Sequence, residues 1–503
     1  MAEYTYDHVV VGSGISGLTS AALLARSGKR VLVIEKAPAI GGSMVRFPLK
    51  GIPFETGFHF TGGLAPGGLL FDMLKVLEIE KQIKPLPFSA SDGTRFVFED
   101  SSHAYTFPCN RDGAMRVLLE RFPDEAESIS SYFDKLDAVC DATTSMDLRT
   151  IGKSMHLSDE DYVSLSSVLD ELFDNEDLKA ILGGYCLCYG VAPKEISFAN
   201  HARMCQGMHD GIVRVEGGGD AFVLALKEKL KEAGVDIRCK SHVVGCEEIE
   251  GHQVGAFRLN NGDLVRFDSA VLTIHPKAIL DLLPKEKLRP AFAKRVSGFS
   301  PSFGFCSVFG ICDAPDLLDD FILLGLPNAK LNSMFEPGNR EADSMLFCIS
   351  GEEEGTRTLT ILEAACPGDM EEWADSSLKK RPDSYNDYKA RKTERIMERV
   401  YCCLPELEGH FQILESSTPL SFRDYLLSPD GSAYGVKQLI GQFNLLGKLP
   451  LQNLYAAGQS SVLPGVMGAM VSAFIVCRQM VDSEAFDRYV TARLDRFDER
   501  GER

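Results

Sequence analysis

Four residues near the N-terminus have the types and spacing that occur where proteins bind the pyrophosphate and the ribose of a dinucleotide. Gly12, Gly14 and Gly17 form a G-x-G-x-x-G turn, and Glu35 follows at about the 20-residue distance typical of the acid in such sites. The first glycine permits a tight turn, the second lets backbone approach the pyrophosphate, and the third lets a helix pack on a strand. The acid can accept hydrogen bonds from a ribose diol. The spacing therefore predicts a dinucleotide-binding site.

The segments around this turn have the pattern that would position it. An apolar run over 9–11 precedes the first glycine, a helix-like segment follows over 18–25, and a second apolar run over 30–34 ends at the acid. This order predicts strand, glycine turn, helix and strand. It places the pyrophosphate on free N–H groups at a helix N-terminus, where the macrodipole also favours negative charge. A plain glycine turn between core elements would leave the acid at the strand end unexplained.

A second glycine pair indicates which dinucleotide binds. Gly41 and Gly42 follow Glu35 as E-x-x-x-x-x-G-G, which resembles flavoproteins of the phytoene desaturase and amine oxidase superfamily. In that family the pair continues the FAD site, so the resemblance implies FAD, with NAD alone as the minor alternative. Many relatives have arginine directly after the pair, where this chain has Ser43; Arg46 is the candidate substitute.

The segment F-E-T-G-F-H at 54–59 resembles the F-D-T-G-x-H segment of carotenoid isomerases and retinol saturases. In that family this loop lies beside the flavin. His59 is therefore a candidate catalytic proton donor, since the pKa of histidine lies near neutrality. A structural histidine that only forms hydrogen bonds is the alternative.

The C-terminal part of the chain resembles retinol saturase and its bacterial relatives more closely than the shorter carotenoid desaturases. The resemblance rests on Tyr434 and Gly435, on N-L-Y-A-A-G-Q at 453–459 and on L-P-G-V-M-G-A at 463–469. A short strand, a glycine, a polar residue and a small-residue helix start would place backbone N–H groups at the flavin ring and ribityl chain. Tyr434 and Gly435 are predicted on the substrate side. The helix at 466–480 is apolar on nearly all faces, which predicts burial.

The resemblance also implies that the backbone of Val243 contacts the adenine.

No metal site is predicted, because the cysteines include no C-x-x-C pair or zinc-type spacing. The predicted cofactor-binding residues are Gly12, Ser13, Gly14, Ile15, Ser16, Gly17, Glu35, Lys36, Gly41, Gly42, Ser43, Val243, Gly458, Gln459, Gly465, Val466 and Met467.

The order of the motifs predicts an α/β fold, a Rossmann-like FAD-binding domain with an inserted α+β substrate domain. The predicted FAD-binding domain comprises 1–72, 207–283 and 446–503, the last including a C-terminal helix. The predicted substrate domain comprises 73–206 and 284–445 and would cap the flavin. Within it, the charge alternation over 384–399 predicts a helix exposed on most sides.

The resemblance implies an FAD-dependent oxidoreductase acting on C=C bonds of an apolar, polyene or isoprenoid-like small molecule, by saturation, desaturation or isomerisation. The glycine triplet at 217–219 lacks the spacing and the acid of a second dinucleotide site, so electrons are expected to be exchanged with a separate donor or acceptor or with a weakly held pyridine nucleotide. One alternative is an amine oxidase-like flavoenzyme, in which an aromatic pair often flanks the flavin; the single tryptophan is Trp373. The other is a flavin-free prenyl- or lipid-binding escort, like the GDP-dissociation inhibitors.

Charge and hydropathy exclude other classes of function. The net charge of −19 argues against nucleic-acid binding, because phosphate contacts need clustered Lys and Arg. No apolar run reaches the roughly 18 residues of a membrane span, and the N-terminus lacks a signal-peptide pattern. The fourteen cysteines are expected to be reduced thiols. A cytoplasmic protein is predicted, with peripheral membrane contact allowed by the apolar substrate.

Overall fold

The computed structural model describes residues 1–91, 93–153, 157–314, 319–336, 338, 340, 342–353 and 355–498, so the last five residues of the predicted C-terminal segment lie outside the described residues. The strands are β1 (Glu3–Val11), β2 (Val31–Ile34), β3 (Arg46–Leu49), β4 (Ile52–Glu55), β5 (Pro85–Pro87), β6 (Thr94–Phe98), β7 (Ala104–Phe107), β8 (Val213–Val215), β9 (Asp236–Arg238), β10 (Val243–Glu250), β11 (Gln253–Leu259), β12 (Leu264–Leu272), β13 (Gly304–Cys312), β14 (Ile322–Leu326), β15 (Leu346–Glu353), β16 (Thr356–Ala365), β17 (Phe411–Ser417), β18 (Gly447–Lys448) and β19 (Leu454–Ala456). The α-helices are α1 (Ile15–Ala25), α2 (Leu69–Leu77), α3 (Arg111–Arg121), α4 (Ala126–Ala142), α5 (Leu165–Leu172), α6 (Glu176–Gly183), α7 (Phe198–Asp210), α8 (Gly218–Glu232), α9 (Pro276–Leu282), α10 (Pro290–Ser297), α11 (Asp383–Cys403), α12 (Pro419–Leu426), α13 (Gly465–Met480) and α14 (Ser483–Asp498).

One sheet of eight strands is assembled from three distant parts of the chain. Its order is β10-β11-β12-β1-β2-β9, with β19 also paired to β12 and β18 to β19. The run β9, β2, β1, β12 and β19 is parallel, whereas β10 and β11 pair antiparallel. Because the carboxyl ends of parallel strands meet at one edge, the glycine turn after β1 and Glu35 after β2 lie side by side.

Helices cover both faces of this sheet, as a parallel sheet requires. Val10 and Val33 pack with apolar residues of α1, α8 and α13 on one face. On the other face, Val9 and Leu32 pack with residues of α9 and α10. The alternation of neighbouring valines between the two faces follows from the two-residue period of a strand.

A second sheet of seven strands has the order β17-β13-β16-β15-β14-β6-β7 and is antiparallel except between β14 and β6. Helices from α3 to α7 pack on one face of it, and α11 packs on the other. Among the described helices, none combines the length and apolarity needed to cross a bilayer.

The prediction that residues 384–399 are exposed on most sides was wrong for one face of α11. Lys392 and Arg399 are buried there and form ion pairs of 2.5 Å with Glu363 of β16. A buried carboxylate has to be paired with a cation, and that partner lies on a distant strand. The charge pattern alone therefore could not distinguish a buried ion pair from a solvated face.

Candidate cofactor and substrate site

The glycine turn between β1 and α1 is tightly packed at two positions and open at the third. A Cβ on Gly12, whose φ is +102°, would lie 2.8 Å from Oγ1 of Thr273, and a Cβ on Gly17 would lie 2.1 Å from the carbonyl oxygen of Gly12. A Cβ on Gly14 would meet no protein atom within 4 Å. Gly14 is the N-cap of α1, and no side chain caps the N–H groups in the first turn of this helix. Open space in front of uncapped N–H donors fits a pyrophosphate.

Glu35 joins the end of β2 to the glycine turn. Its Oε2 accepts hydrogen bonds from the backbone N–H and the hydroxyl of Ser13, at 2.9 and 2.6 Å. Its Oε1 accepts one from the N–H of Ala37 at 2.6 Å. Gly41 N–H donates to the carbonyl of Ser13 at 2.9 Å. Oε2 thus accepts two hydrogen bonds and Oε1 accepts one, so Oε1 keeps an acceptor site that a ribose hydroxyl could use.

Val243 and Lys36 both lie near the end of β2. Ser241 N–H donates to the carbonyl of Glu35 at 2.9 Å, which brings the segment leading into β10 alongside the end of β2. Val243 is the first residue of β10. Lys36 is exposed.

The residues after the glycine pair contact the 57–59 loop. A Cβ on Gly57 would lie 3.2 Å from Cβ of Ser43. Arg46, the candidate substitute for the missing arginine, is engaged elsewhere: Nε donates to Asp220 at 3.2 Å and Nη1 to Glu353 at 3.0 Å. Because these carboxylates hold its guanidinium, the geometry does not support that substitution.

The C-terminal motif is tied to the N-terminal one through two serines. Gly458 N–H donates to Oγ of Ser472 at 2.8 Å, and that oxygen lies 3.3 Å from Oγ of Ser16 in the first turn of α1. A Cβ on Gly63 would lie 3.4 Å from Sδ of Met467. The loop after His59 therefore contacts the start of α13.

The region of Tyr434 is held against Gln459. Tyr434 N–H donates to Oγ of Ser302 at 3.0 Å. Val436 N–H donates to Oγ of Ser460 at 3.2 Å, and a Cβ on Gly435 would lie 3.8 Å from Nε2 of Gln459.

A cavity of about 130 Å³ lies between the 57–62 loop and the first turn of α13. It brings together His59, Tyr434 and the predicted residues at 465–467, with apolar side chains such as Phe60 around them. The predicted site residues therefore form two groups. One surrounds the glycine turn, where the nucleotide is predicted to bind, and the other lies at this larger cavity.

His59 lines the larger cavity, but its ionisation differs from the expected near-neutral value. Burial lowers the pKa of His59 to about 4, because a low-dielectric site disfavours the charged imidazolium. At neutral pH the ring is therefore neutral. It can accept a proton or form a hydrogen bond, whereas a stored imidazolium proton is disfavoured.

Two polar residues of the site were not predicted from sequence. Thr273 follows β12 and donates from Oγ1 to the carbonyls of Val11 and Gly12, at 3.1 and 3.3 Å. In the sequence, this residue is marked only as a polar residue directly after the apolar run 270–272. Arg203 of α7 lines the larger cavity and pairs with Asp161 at 2.6 and 3.0 Å; no local motif marks it.

His201 of α7 was also missed. Its Nε2 lies 2.8 Å from the hydroxyl of Tyr132, and its Nδ1 lies 2.9 Å from that of Tyr189. Burial lowers the pKa of His201 to about 3. The neutral ring thus links two tyrosines of the helical layer.

The glycine triplet at 217–219 forms the N-terminus of α8 and is closed by protein atoms. Gly219 N–H donates to Oε2 of Glu55 at 3.3 Å. A Cβ on Gly218 would lie 1.6 Å from Oε1 of the same residue. Burial raises the pKa of Glu55 to about 8.

Comparison with known families agrees with this arrangement. Residues 15–364 match the family described as flavin containing amine oxidoreductase, and the chain belongs to that family. This confirms the predicted superfamily, the Rossmann-like α/β fold, the flavin cofactor FAD and an oxidoreductase activity.

Individual relatives are distant but cover nearly the whole chain. The chain is 26% identical to all-trans-retinol 13,14-reductase of Danio rerio, over 95% of this chain and 87% of the relative. It is 24% identical to the chloroplastic prolycopene isomerase of Daucus carota, over 95% and 80%. The structure of wild-type putrescine oxidase bound to putrescine superposes with a TM-score of 0.65 at 14% identity, over 96% and 100% of the two chains, which shows a shared fold.

Proposed function

We propose that this FAD-dependent oxidoreductase acts on a C=C bond of an apolar polyene or isoprenoid-like small molecule. The observation that carries the proposal is the larger cavity, which is lined mainly by apolar side chains and bounded by the two segments expected at the flavin ring. The relatives named for a retinol reductase and a prolycopene isomerase support this substrate class.

The chain's own residues would bind and orient the two reactants. The glycine turn and Glu35 would hold the nucleotide half of FAD, and 458–459 with 465–467 would hold the ring end. Bound flavin supplies hydride-transfer chemistry at a C=C bond. The apolar lining excludes water, and neutral His59 is the proposed group for moving a proton or orienting the substrate.

The geometry favours a polyene over an amine. Among the described residues, those lining the larger cavity include no carboxylate, and the charged one is Arg203. Since Arg203 is itself paired with Asp161, a protonated amine would find no carboxylate partner among these lining residues. Trp373 lies outside the cavity lining, buried against Tyr385 and Tyr388 at ring-centroid distances of 5.6 and 5.1 Å.

We also propose that electrons are exchanged with a separate donor or acceptor. Glu55 already holds the N-terminus of α8, which supports a single dinucleotide site within the described residues. The fourteen cysteines are free thiols, which supports a reducing compartment such as the cytoplasm. Delivery of an apolar substrate would then involve transient peripheral contact with a membrane.

We propose that the domain boundaries predicted from sequence are correct, because each of the two sheets is built from strands of one predicted domain. Strands of the eight-stranded sheet fall within 1–72, 207–283 and 446–503, and strands of the seven-stranded sheet fall within 73–206 and 284–445.

Purified protein tests the proposal. The cofactor is released by acid and identified, and the flavoprotein is then reduced with dithionite under argon and mixed with all-trans-retinol or a carotene. We expect flavin reoxidation with a blue shift of the polyene spectrum for saturation, or a changed isomer composition without net flavin oxidation for isomerisation. Unchanged polyenes together with hydrogen peroxide release from amines in air would contradict the proposal in favour of an amine oxidase.

A further inference from the structure

A second, smaller cavity adjoins the larger one through a single side chain. Its volume is about 40 Å³, and Met208 lines both cavities. Helix α7 carries this methionine, with Met204 one turn earlier on the larger cavity and His209 next along the chain on the smaller one. Met208 is flexible and unbranched, and such side chains adapt to irregular spaces. The two cavities are thus consecutive compartments along one helix.

The smaller cavity contains a buried polar atom without a partner. His209 is 9% exposed, and its Nε2 has no hydrogen-bond partner among the described residues. The rings of Phe133 and Tyr185 stand nearly perpendicular to it, at centroid distances of 5.2 and 5.5 Å. Buried polar atoms in native proteins are nearly always hydrogen-bonded. An unpaired nitrogen at the wall of a cavity therefore points to a bound group that pairs with it.

We propose that the smaller cavity is a subsite for the terminal hydroxyl of an elongated apolar substrate, with Nε2 of His209 as its hydrogen-bond partner. This inference rests on the proposed function, since the reacting C=C bond would lie in the larger cavity. A volume of about 40 Å³ exceeds the roughly 10–15 Å³ that one water needs. The space suits a small end group rather than a second ring.

The electrostatic surroundings select a neutral hydroxyl. Burial lowers the pKa of His209 to about 4, so the ring is neutral near pH 7. A hydroxyl both donates and accepts and can therefore pair with either tautomer. A carboxylate would need a cation, and Arg111 is already held by both oxygens of Asp137, at 2.9 and 2.5 Å. A hydrocarbon end would leave Nε2 unpaired.

Three ligands with the same polyene chain test the subsite in the FAD-loaded, full-length protein. They are all-trans-retinol, its methyl ether and all-trans-retinoic acid, and the readout is Kd by equilibrium ultrafiltration. We expect the alcohol to bind at least tenfold more tightly than the ether and the acid. His209→Leu should raise the Kd of the alcohol about tenfold and change that of the ether little. His209→Gln, which keeps a donor and an acceptor, should retain the preference for the alcohol.

The controls separate the subsite from the proposed function. His103→Leu, at an exposed histidine paired with Asp177, should bind all three ligands as the wild type does. Equal affinity of the wild type for the alcohol and the ether would overturn the subsite, even if His209→Leu failed to fold, and would leave the polyene function standing. Failure of every polyene to bind would overturn the proposed function and the subsite with it.

Discussion

Ser13 and Glu35, 22 residues apart, are joined twice: the backbone N–H and the hydroxyl of Ser13 both donate to the same carboxylate oxygen, at 2.9 and 2.6 Å. This pair fixes the glycine turn after β1 relative to the end of β2. The acid therefore shapes the turn in addition to its proposed contact with a ribose. Cofactor affinity and local stability should depend on the same two residues.

Ser13→Ala tests this coupling. It removes one hydrogen bond to a buried carboxylate and keeps the backbone bond, so we expect a loss of about 1 kcal/mol in the free energy of unfolding. The Kd for FAD should rise several-fold. Chemical denaturation and flavin fluorescence measure the two effects. Ser130→Ala, at an exposed position of α4, is the matched control; equal behaviour of the two variants would show that the pair is unimportant.

Gly14→Ala should separate cofactor binding from folding. A Cβ at this position meets no protein atom within 4 Å, and its φ of −64° suits alanine. It would, however, enter the space predicted for the pyrophosphate. We expect an unchanged apoprotein melting temperature and at least a tenfold weaker Kd for FAD. Gly245→Ala, where a Cβ also meets nothing, should change neither quantity. Normal FAD affinity in Gly14→Ala would place the pyrophosphate elsewhere.

His59→Ala should lower kcat with the proposed polyene substrate if the neutral ring moves a proton. General acid–base catalysis typically contributes about 10²–10⁴-fold. Because the pKa of His59 is lowered to about 4 by burial, the wild-type rate should not change with its ionisation between about pH 8 and 6, and should fall only as pH approaches 4. His252→Ala, at an exposed histidine, should retain full activity. Full activity in His59→Ala would leave that histidine a structural role.

His201 should make folding stability sensitive to acid. Its pKa is lowered from 6.5 to about 3 by burial, so the unfolded chain binds the proton more readily than the folded one. The contribution of the neutral His201 ring to the free energy of unfolding is fully present above pH 6.5 and is lost as pH falls from there toward 3. We expect a smaller loss of unfolding free energy between pH 6.5 and 5 in His201→Gln than in the wild type. Parallel pH curves for the two proteins would show that His201 is not buried as a neutral ring.

Glu55 should make folding stability decrease as pH rises, whereas His201 makes it decrease as pH falls. Its pKa is raised from 4.5 to about 8 by burial, so the folded state binds its proton more tightly than the unfolded state. The stabilising effect is present below pH 4.5 and is lost as pH rises from there through 8. Glu55→Gln should therefore gain stability relative to the wild type as pH rises from 5 to 8. Glu228→Gln, on the exposed side of α8, is the control and should show no such trend.

The sequence by itself predicted the elements that form the proposed nucleotide end of the site. The spacing of Gly12, Gly14 and Gly17 and the strand before them specify a strand, a turn and a helix start, since backbone conformation and helix entry depend on neighbouring residues. The resemblance to a known family predicted FAD as the cofactor and His59 as a candidate catalytic residue, and His59 lines the larger cavity. The position of Glu35 at the end of β2 followed from the same local order, and its contact with a ribose stays a prediction.

Only the tertiary structure decided which side chains are buried and what pairs with them. Arg46 is held by Asp220 and Glu353, which come from distant segments. Lys392 of α11, a helix that the charge pattern predicted to be exposed on most sides, is buried and pairs with Glu363 of β16. His209, which lines the smaller cavity, belongs to no sequence motif. Local patterns cannot reveal such features, because a pKa or an unpaired buried nitrogen depends on residues that only folding brings within a few ångströms.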